Sequence, residues 1–165
     1  MRRSNSRGGR RRGSVLVEGV LTTLPLLAFL FGALDLAFAI FIKSTLQFAA
    51  RQGVRYAVTS QTMAGMGQDD SIKTTVKDYS LGFLDALSPN HDGMTQVAID
   101  YYDPVTLAKV TGAGSNVGGN IVVVSVSGLS WAWMIPLLRS TQPLQFAVAS
   151  ADIMEATPLA GAPPR

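Results

Sequence analysis

The sequence predicts an α+β fold in which one long N-terminal helix, membrane-spanning in its first half and amphipathic in its second, packs on a small antiparallel sheet. Three observations carry the prediction. An unbroken apolar run follows an arginine-rich start, apolar residues then recur at three- and four-residue steps, and beyond Gly93 the period changes to two. The 165 residues include 14 Lys+Arg and 11 Asp+Glu. Six of the basic residues are Arg2, Arg3, Arg7, Arg10, Arg11 and Arg12, so the rest of the chain is mildly acidic. The sequence pI of about 9.5 therefore describes an N-terminal arm and not the folded body. A mean hydropathy of +0.25 with 15% charged residues is too apolar for an ordinary soluble domain and implies a membrane segment. The absence of cysteine excludes disulfides, thiolate zinc sites and thiol nucleophiles, and a single histidine, His91, excludes a His-rich metal site.

The organisation expected is a basic cytoplasmic leader over residues 1–13, a long helix over 14–59 with its transmembrane span at 19–42, an extracytoplasmic α+β head over 60–157, and a flexible tail over 158–165. The span holds one formal charge, Asp35, and is long enough to cross a hydrocarbon core of about 30 Å. The arginines precede it, and Lys43 is the first basic residue after it. The positive-inside rule thus puts the N-terminus in the cytoplasm and the head across the membrane. The arginine arm abuts a membrane span and no aromatic residue interleaves it, so nucleic acid is not the expected partner. Three fates fit such a span: a signal anchor, a secretory signal cut near Ala37-Phe38-Ala39, or a pilin-like helix cut before the apolar stretch. Asp35 just upstream of the small residues, and a span longer than a usual signal core, weigh against the second. Arg11-Arg12 suggests a twin-arginine signal, but Gly13-Ser14-Val15 continues it poorly.

The string Arg10-Arg11-Arg12-Gly13-Ser14-Val15-Leu16-Val17-Glu18 separates these fates. Basic residues, a glycine, a glutamate five positions on and a long apolar helix follow the signal logic of type IV pilins. More narrowly, the chain resembles the TadE-like pseudopilins of tight-adherence (Tad/Flp) systems. Val17-Glu18, Pro25 seven residues later, Phe31-Gly32-Ala33-Leu34-Asp35, the segment Gln47-Phe48-Ala49-Ala50-Arg51-Gln52-Gly53-Val54-Arg55-Tyr56-Ala57 and the late Ala149-Ser150-Ala151-Asp152-Ile153-Met154-Glu155 are similar to that family's motifs in order and spacing. Gly19 departs from the pattern, which usually has an aromatic residue after the glutamate. The resemblance is strong over residues 10–58 and thin from 59 to 142.

The resemblance implies prepilin processing at Gly13 and Ser14, read through Glu18, and a pilin-like architecture. It also implies partners: other pilin-like subunits of the TadE or TadF type, an aspartic prepilin peptidase, an inner-membrane platform, an assembly ATPase and the inner-membrane lipid. A cut after Gly13 would leave the Ser14 ammonium one helical turn from Glu18. By resemblance, Glu18 would pair with its own or a neighbour's amine, offsetting two desolvation costs; otherwise it lies in the headgroup region of an uncut anchor. Asp35 lies about 25 Å further along the helix. A carboxylate inside a membrane costs about 2.5–3.5 kcal/mol by insertion scales, which makes both acids candidates for intersubunit or intramembrane pairing. For Asp35 the alternatives are a partner helix, the outer headgroups or protonation in place. Pro25 removes one helical hydrogen bond and is a candidate kink.

Beyond Lys43, the residues Ile42, Leu46, Ala49, Ala50, Gly53 and Ala57 form an apolar stripe beside Arg51 and Arg55, which face one way and are possible partner contacts or a solvated face. Asp69-Asp70-Ser71 is expected to cap a second helix reaching about Leu87. Strands are expected over 95–102, 120–128 and 144–153, with a glycine-rich hairpin connection over 112–119. The apolar Trp131-Ala132-Trp133-Met134-Ile135-Pro136-Leu137-Leu138 is either core under the long helix or a contact surface, which makes Trp131 and Trp133 possible partner contacts.

No catalytic site, metal site or cofactor is expected. The chain has no G-x-S-x-G elbow, the glycine-rich stretch lacks the Lys-Ser/Thr of a phosphate loop, and Ile99 stands where a calcium loop beginning at Ser88 needs a carboxylate. Asp92, Asp100 and Asp103 are the residual ion-binding thought. The expected role is a minor pilin-like subunit serving pilus biogenesis, adhesion and biofilm formation. The alternative is a permanently anchored periplasmic binding or scaffolding protein.

Overall fold

The computed structural model describes residues 9–135, 142–156 and 162–165. Helix α1 spans Gly9–Val58 as 50 continuous residues, about 75 Å at helical rise, and Pro25 lies inside it. It starts before Ser14, where the sequence places the helix start. Helix α2 covers Gln68–Tyr79 and the single turn α3 Phe83–Ala86. A 3₁₀ turn at Gly93–Gln96 leads into four strands: β1 Val97–Tyr102, β2 Lys109–Val110, β3 Ile121–Trp131 and β4 Leu144–Ile153. All pairings are antiparallel, in the order β2-β1-β3-β4. A long helix on a small antiparallel sheet is the α+β arrangement predicted.

The second half of α1 builds the core because its stripe alternates bulky and small residues. Ile42, Leu46 and Val54 fill space, while Ala49, Ala50, Gly53 and Ala57 let neighbours come close, and all are buried. Helix α1 lies against β3 and β4 on one side and α2 on the other. Into the same core go Ile72, Val76, Val97, Tyr101, Val122, Val124, Val126, Leu129, Phe146 and Val148. A Cβ at Gly53 would come within 2.5 Å of the Val76 Cγ2 and 3.6 Å of Val124, so the closest approach of α1 to its neighbours requires glycine there.

One irregularity in the sheet decides where the site lies. In the first half of β3, Val122, Val124 and Val126 face the core, and Val126 pairs with Val148. The register then shifts so that Leu129 pairs with Phe146 and Trp131 with Leu144, an extra residue having entered β3 at a bulge containing Gly128 (φ +76°). One inserted residue reverses the side-chain parity of the strand beyond it. Leu129 and Trp131, which strict alternation from Val126 would turn outward, therefore continue the face that meets α1.

Several expectations are corrected. The second helix stops at Tyr79, not Leu87, because Leu81 and Gly82 turn left-handed (φ +54° and +80°) and the chain restarts as α3. Its N-cap is Gly67, and Asp69 makes no cap but accepts from the Tyr101 hydroxyl at 2.8 Å. Thr95 and Gln96 are not strand residues: Thr95 Oγ1 donates to the Asp92 carbonyl at 2.8 Å and holds the 3₁₀ turn. Residues 112–119 are not a hairpin, since β2 pairs with β1 and β3 lies on the other side of β1. The loop must cross the sheet end, and it is pinned there by the Gly119 amide on the Met154 carbonyl and by buried Ser115 and Asn116.

Residues 162–165, part of the expected tail, lie against α2 and the loop over 112–119. The Gln68 amide donates to the Pro164 carbonyl at 2.7 Å, and Asn116 Nδ2 to the Pro163 carbonyl at 2.9 Å. Arg165 pairs with Asp69 through Nη2 at 2.7 Å, and its guanidinium sits 4.9 Å from the centre of the Tyr101 ring. The Pro158 end of the expected tail lies outside the described residues.

Candidate functional site

The site is the first half of α1 together with the part of the head that closes on it. Gly13 and Ser14 lie within the helix, and Glu18 is exposed one turn after Ser14. The Glu18 carbonyl accepts from Thr22 Oγ1 at 3.0 Å, and the Gly19 carbonyl takes the same hydroxyl at 3.1 Å. Pro25 has no N–H to give the Leu21 carbonyl four residues back, so one rung of the helix is missing just above this hydroxyl. From residue 15 to residue 34 every side is exposed except at half-buried Gly32, and Glu18 is the only charge. Between Glu18 and Lys43 the 24 residues from Gly19 to Ile42 carry one charge and extend about 36 Å, longer than one hydrocarbon thickness. Helix α1 is long and apolar enough to cross a membrane once.

Asp35 is the one charge within that stretch. It is 1% exposed, and its carboxylate is met from inside its own chain. Oδ1 accepts from Trp131 Nε1 at 3.0 Å, and Oδ2 accepts from the Met134 amide at 2.8 Å and, longer, from the Ile135 amide at 3.4 Å. Ile135 lies against Gly32, where an added Cβ would sit 3.4 Å from its Cδ1. These intrachain donors are partners for Asp35 beyond the partner helix, headgroups and protonation that the sequence suggests. The reversed parity of β3 turns Trp131 towards α1, and the bend after it aims two free backbone N–H groups at the same carboxylate. Trp131 is half-buried in this contact and so is not a free partner surface; half-buried Trp133 and exposed Met134 are the outward members of the segment.

Arg51 and Arg55 are exposed, and among the described residues neither is in an ion pair. Both line a shallow groove between α1 and β4 that also holds Asp152 and Glu155, so the top of the head presents both charge signs. Two of the three aspartates considered for an ion have carboxylates engaged elsewhere: Asp100 pairs with Lys109 at 2.6 Å, and Asp103 accepts from the Val105 and Thr106 amides at 2.9 and 2.7 Å. At Asp92 it is the backbone carbonyl that accepts, from the Ser88 and Thr95 hydroxyls. The amide bonds hold the Asp103 carboxyl below the usual range.

Two parts of the arrangement carry no signal in the sequence. The Met134 and Ile135 amides act as donors through backbone alone, which no side-chain pattern announces. The cluster of Tyr101, Asp69 and Arg165 joins three distant segments. There burial, and then the hydrogen bond to Asp69, push the Tyr101 phenol up from its ordinary value. Asp85 is held low by the Lys77 ammonium at 2.9 Å and by the Gly93 amide.

Residues 13–55 match the family model described as TadE-like protein. The matched stretch runs from Gly13 through Glu18, Pro25 and Asp35 to Arg55, about a quarter of the chain, and it is the stretch on which the motifs are strongest. No curated protein and no solved structure matches the chain.

Proposed function

We propose that this chain, TadE-like in its membrane helix, is a minor pilin-like subunit of a Tad/Flp pilus assembly system with a structural and not a catalytic role. The observation that carries the proposal is the family match over residues 13–55, which takes in Gly13, Glu18 and the apolar helix as one unit. The helix stores the subunit in the inner membrane, with its arginine arm in the cytoplasm and its head in the periplasm. Cleavage after Gly13 by a prepilin peptidase releases it for assembly. Glu18 then pairs with a Ser14 ammonium, its own or a neighbour's, and sets the axial register between helices. Pro25 supplies a weakened rung at which the helix bends as it leaves the bilayer. Arg51 and Arg55 face other pilin-like subunits of the TadE or TadF type, and the platform and assembly ATPase act from the membrane and the cytoplasm. Adhesion and biofilm formation follow from the assembled machine.

A second reading has its own observations. The Gly13–Ser14 bond lies within a helix, which a peptidase would have to open, and Gly19 stands in place of an aromatic residue. Both favour a permanent anchor carrying a periplasmic scaffolding head. The mature N-terminus, determined by intact mass and terminal sequencing from native membranes, decides between them. A start at Ser14, lost in Gly13→Leu or on deletion of the peptidase, supports processing. A start at Met1 or Arg2 favours the anchor, and a start at Ile40 defeats both.

A further inference from the structure

We propose that residues 131–135, at the foot of β3, form a second membrane-contacting element, which enters the hydrocarbon of the leaflet on the head's side and is held there by Asp35. The proposal rests on α1 spanning a bilayer and is independent of any role in a pilus.

Depth is the first argument. The outward faces of α1 stay apolar beyond Asp35, with Phe38 48%, Ile40 59% and Phe41 51% exposed, and the first charge after Asp35 is Lys43. Along the axis Asp35 lies about 12 Å below Lys43, and Gly32, which Ile135 touches, about 16 Å below it. A bilayer that covers Phe38, Ile40 and Phe41 therefore also reaches the segment that packs beside them.

Hydrogen bonding is the second. Hydrocarbon offers no partner to an irregular backbone, so non-helical chain at that depth must have its N–H groups met by protein. A carboxylate there is costly for the reverse reason, having lost its water. Asp35 and the segment answer part of both needs: one side chain takes the Trp131 indole and the amides of Met134 and Ile135.

The occupant follows from continuity and composition. The segment is joined to the lipid-facing surface of α1 without a polar break, it carries two tryptophans, a methionine and an isoleucine with no charge, and Met134 is 54% exposed. Indoles favour the boundary between headgroups and acyl chains, where one edge is wet and the ring is not. Acyl chains of the bilayer are therefore the partner that fits. The head does not float on its helix; its base is sunk into the membrane.

The chain provides its own probe, since Trp131 and Trp133 are its only tryptophans. The full chain would be reconstituted in phosphatidylcholine vesicles with brominated acyl chains, and its tryptophan emission measured with iodide as the aqueous quencher. Loss of most of the emission to brominated lipid with little loss to iodide is the result expected. Phe29→Trp in a W131F/W133F background reports on the span itself. If that indole is quenched by brominated lipid while Trp131 and Trp133 answer to iodide, the proposal is overturned and the span stands. Shielding of the natural indoles from both quenchers places them within protein and also overturns it. If the residue-29 indole escapes brominated lipid, the spanning premise fails and the proposal with it. Asp35→Ala should shift the natural emission to the red and reduce lipid quenching, with Asp35→Asn between it and the parent; an unchanged Asp35→Ala spectrum removes Asp35 from the proposal.

Discussion

The carboxylate of Asp35 and the indole of Trp131 stand 96 positions apart in the chain and meet at 3.0 Å, tying the long apolar helix to the foot of the sheet. The contact accounts for a charged residue in an apolar run and for an apolar run in a polar head. Each supplies what the other lacks, a set of donors for the acid and an acceptor for irregular backbone.

Asp35→Ala leaves the indole and two amides without their acceptor. An unmet donor costs about 1–3 kcal/mol when fully buried; the Trp131 and Met134 donors are only part-buried and the buried Ile135 amide bonds weakly, so a total loss of about 1–3 kcal/mol of head stability is expected. Asp35→Asn keeps one carbonyl oxygen and should lose about half as much. Denaturant unfolding in micelles, followed by tryptophan emission, measures both; equal midpoints for Asp35→Ala and the parent would contradict the clasp.

Gly53→Ala should destabilise the protein, against the usual benefit of alanine inside a helix. The new methyl meets a stiff β-branched neighbour, Val76 Cγ2 at 2.5 Å, with Ile72 and Val124 behind it. Overpacking of this kind costs about 1–3 kcal/mol. A thermal midpoint at or above the parent's would show that α2 can withdraw freely.

Glu18→Ala separates assembly from folding. Glu18 is exposed and far from the core, so head stability should change by less than about 0.5 kcal/mol. Incorporation into pili, read by fractionation of sheared surface material, should be lost if Glu18 sets register between subunits. Normal incorporation would remove that role.

Stability should depend on pH at both extremes. The Tyr101 phenol is raised above its ordinary value, so its contribution is complete below about pH 10 and declines as pH rises towards the folded value. Asp85 and Asp103 are lowered, so their contribution is present above about pH 4 and is lost as pH falls through the folded values. Unfolding free energies across pH check the signs, and Tyr101→Phe should flatten the alkaline limb.

Gly67→Ala should dislodge residues 162–165. A Cβ at Gly67 would lie 2.7 Å from the Arg165 carbonyl oxygen and closer still to its carbonyl carbon. With that segment displaced the Gln68 amide loses the Pro164 carbonyl, and its hydrogen exchange should quicken roughly tenfold or more. Unchanged exchange would mean that the segment tolerates the methyl by shifting along α2.

Much of the architecture was legible because it is written in local periods. The stripe from Ile42 to Ala57 has the spacing of one helix face, and β4 spans Leu144–Ile153, the same residues that alternation marks. Errors gathered where the chain departs from a period for a local reason. Gly82 reads as one tolerated glycine in a helical pattern, yet its left-handed turn ends α2. The glycines of 112–119 fit a hairpin as well as a crossover, since both need tight turns, and only the strand order separates them. In the candidate site, Gly13 and Glu18 are visible as a spacing, and Asp35 and Trp131 each stand out as misplaced. Nothing in the sequence joins the last two.

By itself the sequence determined the long apolar helix, its amphipathic continuation, three of the four described strands in outline and the likeness of residues 13–55 to the TadE-like family model, because each depends on residues within a few positions of one another. The tertiary structure decided which groups Asp35 meets. Its partners come from a strand whose facing is reversed by one bulged residue and from amides that no side chain advertises. Such a contact is set by sheet register and by the docking of strand on helix, which are sums over the whole core and leave no mark at positions 35 or 131.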